Sequence, residues 1–149
     1  MIVACPACGR RNRVPEQRLA DTGRCGACRA AIPPRGEPID VGPGEFDAIV
    51  ASSPVPILVD FWAAWCAPCR MAAPEVKATA EAMAGRALVL KVDTESHPDL
   101  AARFGVQGIP NFVVMKNGAR VAQQAGMVPR ARMQEWLRAA GASEEGTGR

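Results

Sequence analysis

Two cysteines spaced by two residues, where an apolar run gives way to a helical one, constrain this chain more than any other stretch. The run is Val55-Pro56-Ile57-Leu58-Val59-Asp60-Phe61-Trp62, and Trp65-Cys66-Ala67-Pro68-Cys69 follows it. A strand of that composition is hydrophobic on both faces, which suits the middle of a sheet covered on both sides. Arg70-Met71-Ala72-Ala73-Pro74-Glu75-Val76 then continues as a helix. The first cysteine is thereby set at a helix N-terminus, where unpaired N–H groups and the helix dipole favour a thiolate. The second falls one turn further in, within reach of the first, and the two sulfurs can bridge without unwinding the helix. Pro68 lacks an N–H, but in the first helical turn that donor has no intrahelical partner. Cys66 therefore reads as a nucleophile and Cys69 as the thiol that resolves its mixed disulfides.

A second cysteine pattern occupies the first part of the chain. Cys5-Pro6-Ala7-Cys8 and Cys25-Gly26-Ala27-Cys28 are two further pairs with the same internal spacing. Two such knuckles can close a tetrahedron of thiolates around zinc, and their separation fits that template. Disulfides within this segment are the bland alternative, and a second redox pair is the sharper one. Neither knuckle has the strand-into-helix frame that surrounds Cys66. Zn2+, one per chain, is the expected ligand of Cys5, Cys8, Cys25 and Cys28, in a structural or a redox-sensing role. Ile2, Val3, Val14, Leu19 and Ile32 are most of the apolar material here, so metal binding has to supply the folding energy.

Charge separates this piece from the rest. Seven arginines and three acidic residues fall within residues 1–37, so the net charge of +3 belongs to that segment. Aromatic stacking residues are absent from it, and nucleic acid is not an expected partner. The arginines read instead as solvating a small module and offsetting the negative charge of four thiolates on one zinc. No apolar run approaches the roughly 20 residues of a membrane span, and the N-terminus has no signal-peptide pattern, so a soluble cytoplasmic protein is expected. Thiols are kept reduced there, which favours metal ligation and catalysis over structural disulfides. The expected division is a tetracysteine zinc module over 1–32, a proline-rich linker over 33–38, a second domain over 39–141 and a flexible tail over 142–149.

Periodicity and turn chemistry fill in that second domain. Strands are expected over 39–41, 55–62, 87–93, 111–115 and 119–123. Helices are expected over 44–50, 66–83, 98–104 and 129–140, the second interrupted by Pro74, where a kink is expected. Asn117-Gly118 between the last two strands is a strong hairpin signal. Parallel crossovers followed by an antiparallel hairpin give an α/β fold, a central mixed sheet with helices on both faces. Phe61, Trp62, Phe112 and Trp136 are assigned to its core, and His97 to the surface.

With these motifs in order, residues 38–141 resemble the thioredoxin family. The matching residues are Val59-Asp60-Phe61-Trp62-Ala63, Trp65-Cys66-Ala67-Pro68-Cys69-Arg70-Met71 and Pro74, then Lys91-Val92-Asp93, Gly108-Ile109-Pro110, Lys116-Asn117-Gly118 and Gly126. The N-terminal knuckles narrow the resemblance to the zinc-containing thioredoxin 2 type. It implies a thioredoxin fold preceded by a small zinc-binding module. It also implies a protein-disulfide reductase, recycled by an NADPH-dependent thioredoxin reductase and acting on disulfide-containing client proteins, with a monomer as the default state. On the same resemblance Asp60 handles the proton of Cys69, with Lys91 as its charged partner. Burial within an apolar run should raise the Asp60 pKa toward neutrality. Ile109-Pro110 would be a cis bond that presents backbone groups to an extended substrate, and Trp65, Ile109, Pro110 and Gly126 would line an apolar groove. Two positions depart from the family pattern: Ala67 where glycine is usual, and Asn111 where threonine usually follows the proline. Residues between the cysteines tune redox potential, so an isomerase or oxidant stays open beside the reductase. A redox-regulated binding module built on the zinc knuckles stays open as well.

Overall fold

The structure is a computed structural model describing residues 1–143 of the 149. The N-terminal piece forms two small antiparallel hairpins, each presenting one cysteine knuckle between its strands. The first pairs β1 (Ile2–Ala4) with β2 (Arg11–Arg13), and the second pairs β3 (Gly23–Arg24) with β4 (Ala31–Ile32). A single 3-10 turn, Glu16–Arg18, lies between them.

A five-stranded sheet then carries the rest of the chain. Its elements in order are β5 (Ile39–Asp40), α1 (Pro43–Ser52), β6 (Ile57–Trp62), α2 (Ala67–Ala82) and β7 (Leu88–Asp93). There follow α3 (Pro98–Arg103), β8 (Asn111–Lys116), β9 (Ala119–Ala125) and α4 (Arg130–Ala139). Strand order across the sheet is β5-β7-β6-β8-β9. β6 is central, parallel to β7 and antiparallel to β8. This is the expected alternation of strands and helices.

The continuous apolar runs have the physical cause expected of them. Side chains alternate across β6, so Ile57, Val59 and Phe61 enter one core and Leu58 enters the other. The first core packs Phe46 and Ile49 of α1 and Leu100 of α3 against the sheet. The second packs Ala72, Val76 and Ala80 of α2 with Met133 and Leu137 of α4. Phe61 and Phe112 are fully buried, as assigned; Trp62 and Trp136 are half-buried. Asn117 and Gly118 both take positive φ, 52° and 80°, as a tight turn of this kind requires. Pro74 lies inside α2, which runs on through it as one helix to Ala82.

The N-terminal hairpins do not stand apart from this sheet. Leu19 and Ala20, each 3% exposed, are buried in the first core beside Ile39 and Phe46. The Arg35 N–H donates to the Leu19 carbonyl at 2.8 Å, tying the proline-rich segment back to the 3-10 turn. Ala142, expected to begin the tail, is buried in the second core, and its N–H donates to Leu137 at 2.9 Å. The remainder of the expected tail, 144–149, lies outside the described residues. Among the described residues no helix is long and apolar enough to cross a membrane.

Candidate functional site

β6 delivers the chain to the sheet edge, and Cys66 caps the N-terminus of α2 with extended φ and ψ of −86° and 110°. Its sulfur accepts the Cys69 backbone N–H at 3.2 Å. A helix N-terminus leaves such donors unpaired, and a sulfur placed there satisfies one while sitting at the positive end of the dipole. Cys66 and Cys69 are disulfide-bonded, with Cα atoms 5.2 Å apart. Both are buried, in a small cluster with Ala63 against which Trp62 and Ile109 pack. Trp65, one residue before the first cysteine, is 66% exposed. An indole left in water beside a buried disulfide forms a contact surface rather than core.

The second wall of this surface comes from the segment before β8. The Ile109–Pro110 bond is cis. The Ile109 carbonyl oxygen lies 3.7 Å from Cys66 Sγ. The Gly126 N–H donates to the Pro110 carbonyl at 2.8 Å, and Gly126 takes φ of 95° to do so. The structure thus brings Ile109 against the dithiol and ties Pro110 to Gly126, while exposed Trp65 directly precedes Cys66 in the chain. Met127, next to Gly126 in the chain, is exposed. Asn111, immediately after the cis proline, is buried; its side chain donates to the Gly108 carbonyl at 3.4 Å and accepts from Gln123 at 3.0 Å. Gln123 also donates to the Phe104 carbonyl at 3.0 Å, so the cis segment is clamped to β9 through side chains.

Asp60 and Lys91 stand opposite each other in the β6–β7 register. Asp60 is 2% exposed and its Oδ1 is buried with no hydrogen-bond partner among the described residues. Burial pushes its pKa up to about 7 from 3.8, against a smaller opposing pull from Lys91. The Lys91 ammonium sits 4.5 Å from the centre of the Trp62 ring. Beside it opens a cavity of about 430 Å³ lined by Trp62, Lys91, Asp93 and His97. His97, assigned to the surface, is half-buried, and its imidazole sits over Gly42, where a Cβ would come within 3.1 Å of it.

The four N-terminal sulfurs meet at the other end of the chain's chemistry. The Sγ atoms of Cys5, Cys8, Cys25 and Cys28 all lie within 4.8 Å of one another. Cys5 and Cys28 are 3.7 Å apart, and Cys8 and Cys25 are 3.6 Å apart. A zinc tetrahedron with Zn–S of about 2.3 Å has edges of about 3.8 Å, and the 3.7 and 3.6 Å pairs match that edge. The two knuckles repeat each other's hydrogen bonds. Ala7 donates to Cys5 Sγ at 3.4 Å and Ala27 to Cys25 Sγ at 3.3 Å. Backbone N–H groups of Cys28 and Ala27, with the Asn12 amide, hold Cys25 down at about 6. Asn12 gave no sequence signal. Its Nδ2 lies 3.6 Å from Cys25 Sγ while its Oδ1 accepts the Gly26 N–H at 2.9 Å, so it cross-braces the knuckles from β2. Its partners lie 13 and 14 residues away, beyond any local pattern.

The thioredoxin family model matches residues 37–139, and the model described as thioredoxin 2, N-terminal, matches residues 4–30. Thioredoxin C-3 of Corynebacterium nephridii is 39% identical over 137 residues, covering 92% of this chain and 93% of that protein. Thioredoxin 1 of Chlorobaculum tepidum is 45% identical over 96 residues, covering 64% of this chain and 95% of its own length. Among solved structures, a mutant thioredoxin from Halobacterium salinarum superposes with a TM-score of 0.67 at 29% identity, covering 74% of this chain and 96% of that one.

Proposed function

The chain belongs to the thioredoxin family and is a protein-disulfide oxidoreductase, and from that premise we propose that Cys66 is its nucleophile and Cys69 its resolving thiol. The observation that carries this assignment is the Cys66 sulfur at the N-cap of α2, accepting the Cys69 N–H beside an exposed Trp65. In the reduced protein the Cys66 thiolate attacks one sulfur of a client disulfide. A Cys66–client mixed disulfide forms, and the other client sulfur leaves as a thiolate and takes a proton. Cys69 then loses its proton and attacks Cys66 Sγ. The Cys66–Cys69 disulfide forms and the second client thiol departs. Two electrons have passed from the dithiol to the client, leaving the oxidised state described above. Family members are re-reduced by a thioredoxin reductase, and we assign that enzyme and disulfide-containing client proteins as the partners of this chain.

Asp60 is the proposed acceptor of the Cys69 proton. A carboxyl with a pKa of about 7 divides between acid and base near neutral pH, the poise a proton relay needs. Lys91 keeps that value from rising further. Trp65, Ile109, Pro110 and Gly126 form the client groove. An extended client segment would lie against the backbone beside Cys66.

Zinc is assigned to Cys5, Cys8, Cys25 and Cys28, one ion per chain, on the fit of their sulfur separations to its tetrahedron. Bound there, the ion supplies a cross-link between two hairpins whose own apolar cluster is only Cys5, Cys25 and Ile32 with Val3 and Ala30 against it. We keep the division into a metal module at 1–32, a connector at 33–38 and a reductase domain at 39–141. A monomer in the cytoplasm, where the knuckle thiols stay reduced, completes the proposal.

Insulin reduction driven by NADPH and a thioredoxin reductase tests the assignment. Cys66→Ser should abolish turnover. Cys69→Ser should instead accumulate a covalent complex with the client through Cys66. Turnover that survives Cys66→Ser would refute the assignment of the nucleophile.

A further inference from the structure

A cavity of about 390 Å³ lies between the two knuckle hairpins, and none of the residues lining it belongs to the dithiol cluster. Buried Leu19 and Ile32, with half-buried Val3 and Val14, form its apolar floor. Arg13, Arg18, Arg24 and Arg35 ring it, against a single acidic residue, Asp21. Asp21 is already held by Arg18 at 3.5 Å, and Arg24 donates to the Arg29 carbonyl at 3.3 Å. Arg35 Nε is buried with no acceptor among the described residues, and Arg13 has Glu16 as a nearby charge but no side-chain hydrogen bond among those described. A buried guanidinium N–H with no acceptor is costly, and turning the Arg35 side chain toward an anion in the cavity would relieve that cost.

We propose that this cavity is a binding site for a small amphipathic oxyanion. Its ligand has an apolar body against Val14, Leu19 and Ile32 and a carboxylate or phosphate held by Arg13 and Arg35. The fork of a guanidinium matches both head groups, and the volume is that of a small-molecule site. Occupancy would span both knuckle hairpins and the segment at 33–35 that leads into β5. A ligand bound only by the folded module stabilises it by mass action. The alternative role for these arginines is charge balance for the four-thiolate metal site, and it makes a different forecast.

The test is a titration of the full-length zinc-loaded protein, isotopically labelled on its amides, with naphthoate, naphthyl phosphate and neutral naphthylmethanol. Saturable shifts at the amides of Asn12, Thr22, Gly23 and Gly26 are expected with the two anions, weakening as salt rises, while the alcohol binds far less. Arg13→Gln and Arg35→Gln should each weaken anion binding by about fivefold or more, leaving zinc retention and insulin reduction unchanged. Thr22→Trp, at the exposed mouth, should block the cavity independently of charge. The tighter of the two anions identifies the head group. Three results would overturn the proposal: no saturation, shifts centred on Trp65 and Met127 instead, or arginine variants that lose zinc yet bind the anions as before.

Discussion

Burial raises the Asp60 carboxyl to about 7 from 3.8, and Lys91 only partly offsets it. Below about pH 4 the group is protonated in both folded and unfolded chains and costs nothing. Between there and neutrality the unfolded chain releases the proton while the folded one keeps it, so stability falls as pH rises. Above the folded value the penalty is constant. Asp60→Asn should therefore be more stable than the native protein by roughly 2–4 kcal/mol at pH 8, with no advantage near pH 3, as read by denaturant unfolding at both. The same variant should reduce insulin about tenfold more slowly or worse, because Cys69 loses its base. Unchanged turnover would remove Asp60 from the mechanism. A second residue-scale forecast concerns the knuckles. Gly9 and Arg29 each follow the second cysteine of a pair, at φ of 78° and 68°. Nothing lies within 4 Å of where a Gly9 Cβ would stand, so only backbone strain opposes a side chain there. Gly9→Ala should cost about 1 kcal/mol of module stability, measured by thermal melting with zinc present.

At the scale of elements, α2 carries the dithiol at one end and a clamp on α4 in its middle. Glu75 accepts the Arg130 backbone N–H at 2.8 Å, in the first turn of α4, and the Arg130 guanidinium at 2.8 Å as well. One carboxylate therefore satisfies an unpaired helix-start donor and a cation together. The Arg130 side chain, followed by its backbone N–H, holds the Glu75 pKa below 4.5. A carboxyl depressed in the fold contributes stability above its unfolded value and loses it as pH falls through the folded one. Glu75→Gln should then lower the melting temperature more near neutral pH than at about pH 3. A loss of equal size at both pH values would mean that packing, not charge, is what the substitution removes.

For the whole molecule the question is how far the metal module and the reductase depend on one another. Leu19 and Ala20 are buried in the core that α1 and α3 share, whereas α2, with the dithiol at its start, packs on the opposite face of the sheet. Stripping zinc should unfold the hairpins and withdraw Leu19 from that core, a loss on the order of 2 kcal/mol from its burial alone. The melting temperature should drop accordingly. Insulin reduction should stay within about twofold, because among the described residues the cluster around the knuckle sulfurs and the cluster around the dithiol have no member in common. A large fall in turnover on chelation, measured well below the new melting temperature, would show coupling through the sheet.

Much of this architecture was legible from residue order alone. Apolar runs at residues 55–62 and 87–93, the Asn117-Gly118 turn and the strand-into-helix setting of Cys66 specify their elements through local chemistry: burial on both faces, positive φ, an N-cap. The cysteine spacings likewise named the four sulfurs that converge. Contacts between distant segments were not legible. Asn12 bracing Cys25 and Gly26, Gln123 clamping Asn111, Glu75 capping α4, and Leu19 entering a core built by other elements each join segments whose proximity no periodicity encodes. Backbone preference acts over a few residues and leaves its mark in the order of amino acids. Burial and hydrogen bonding across the chain depend on which surfaces meet, and that is settled only when the sheet and its helices have closed.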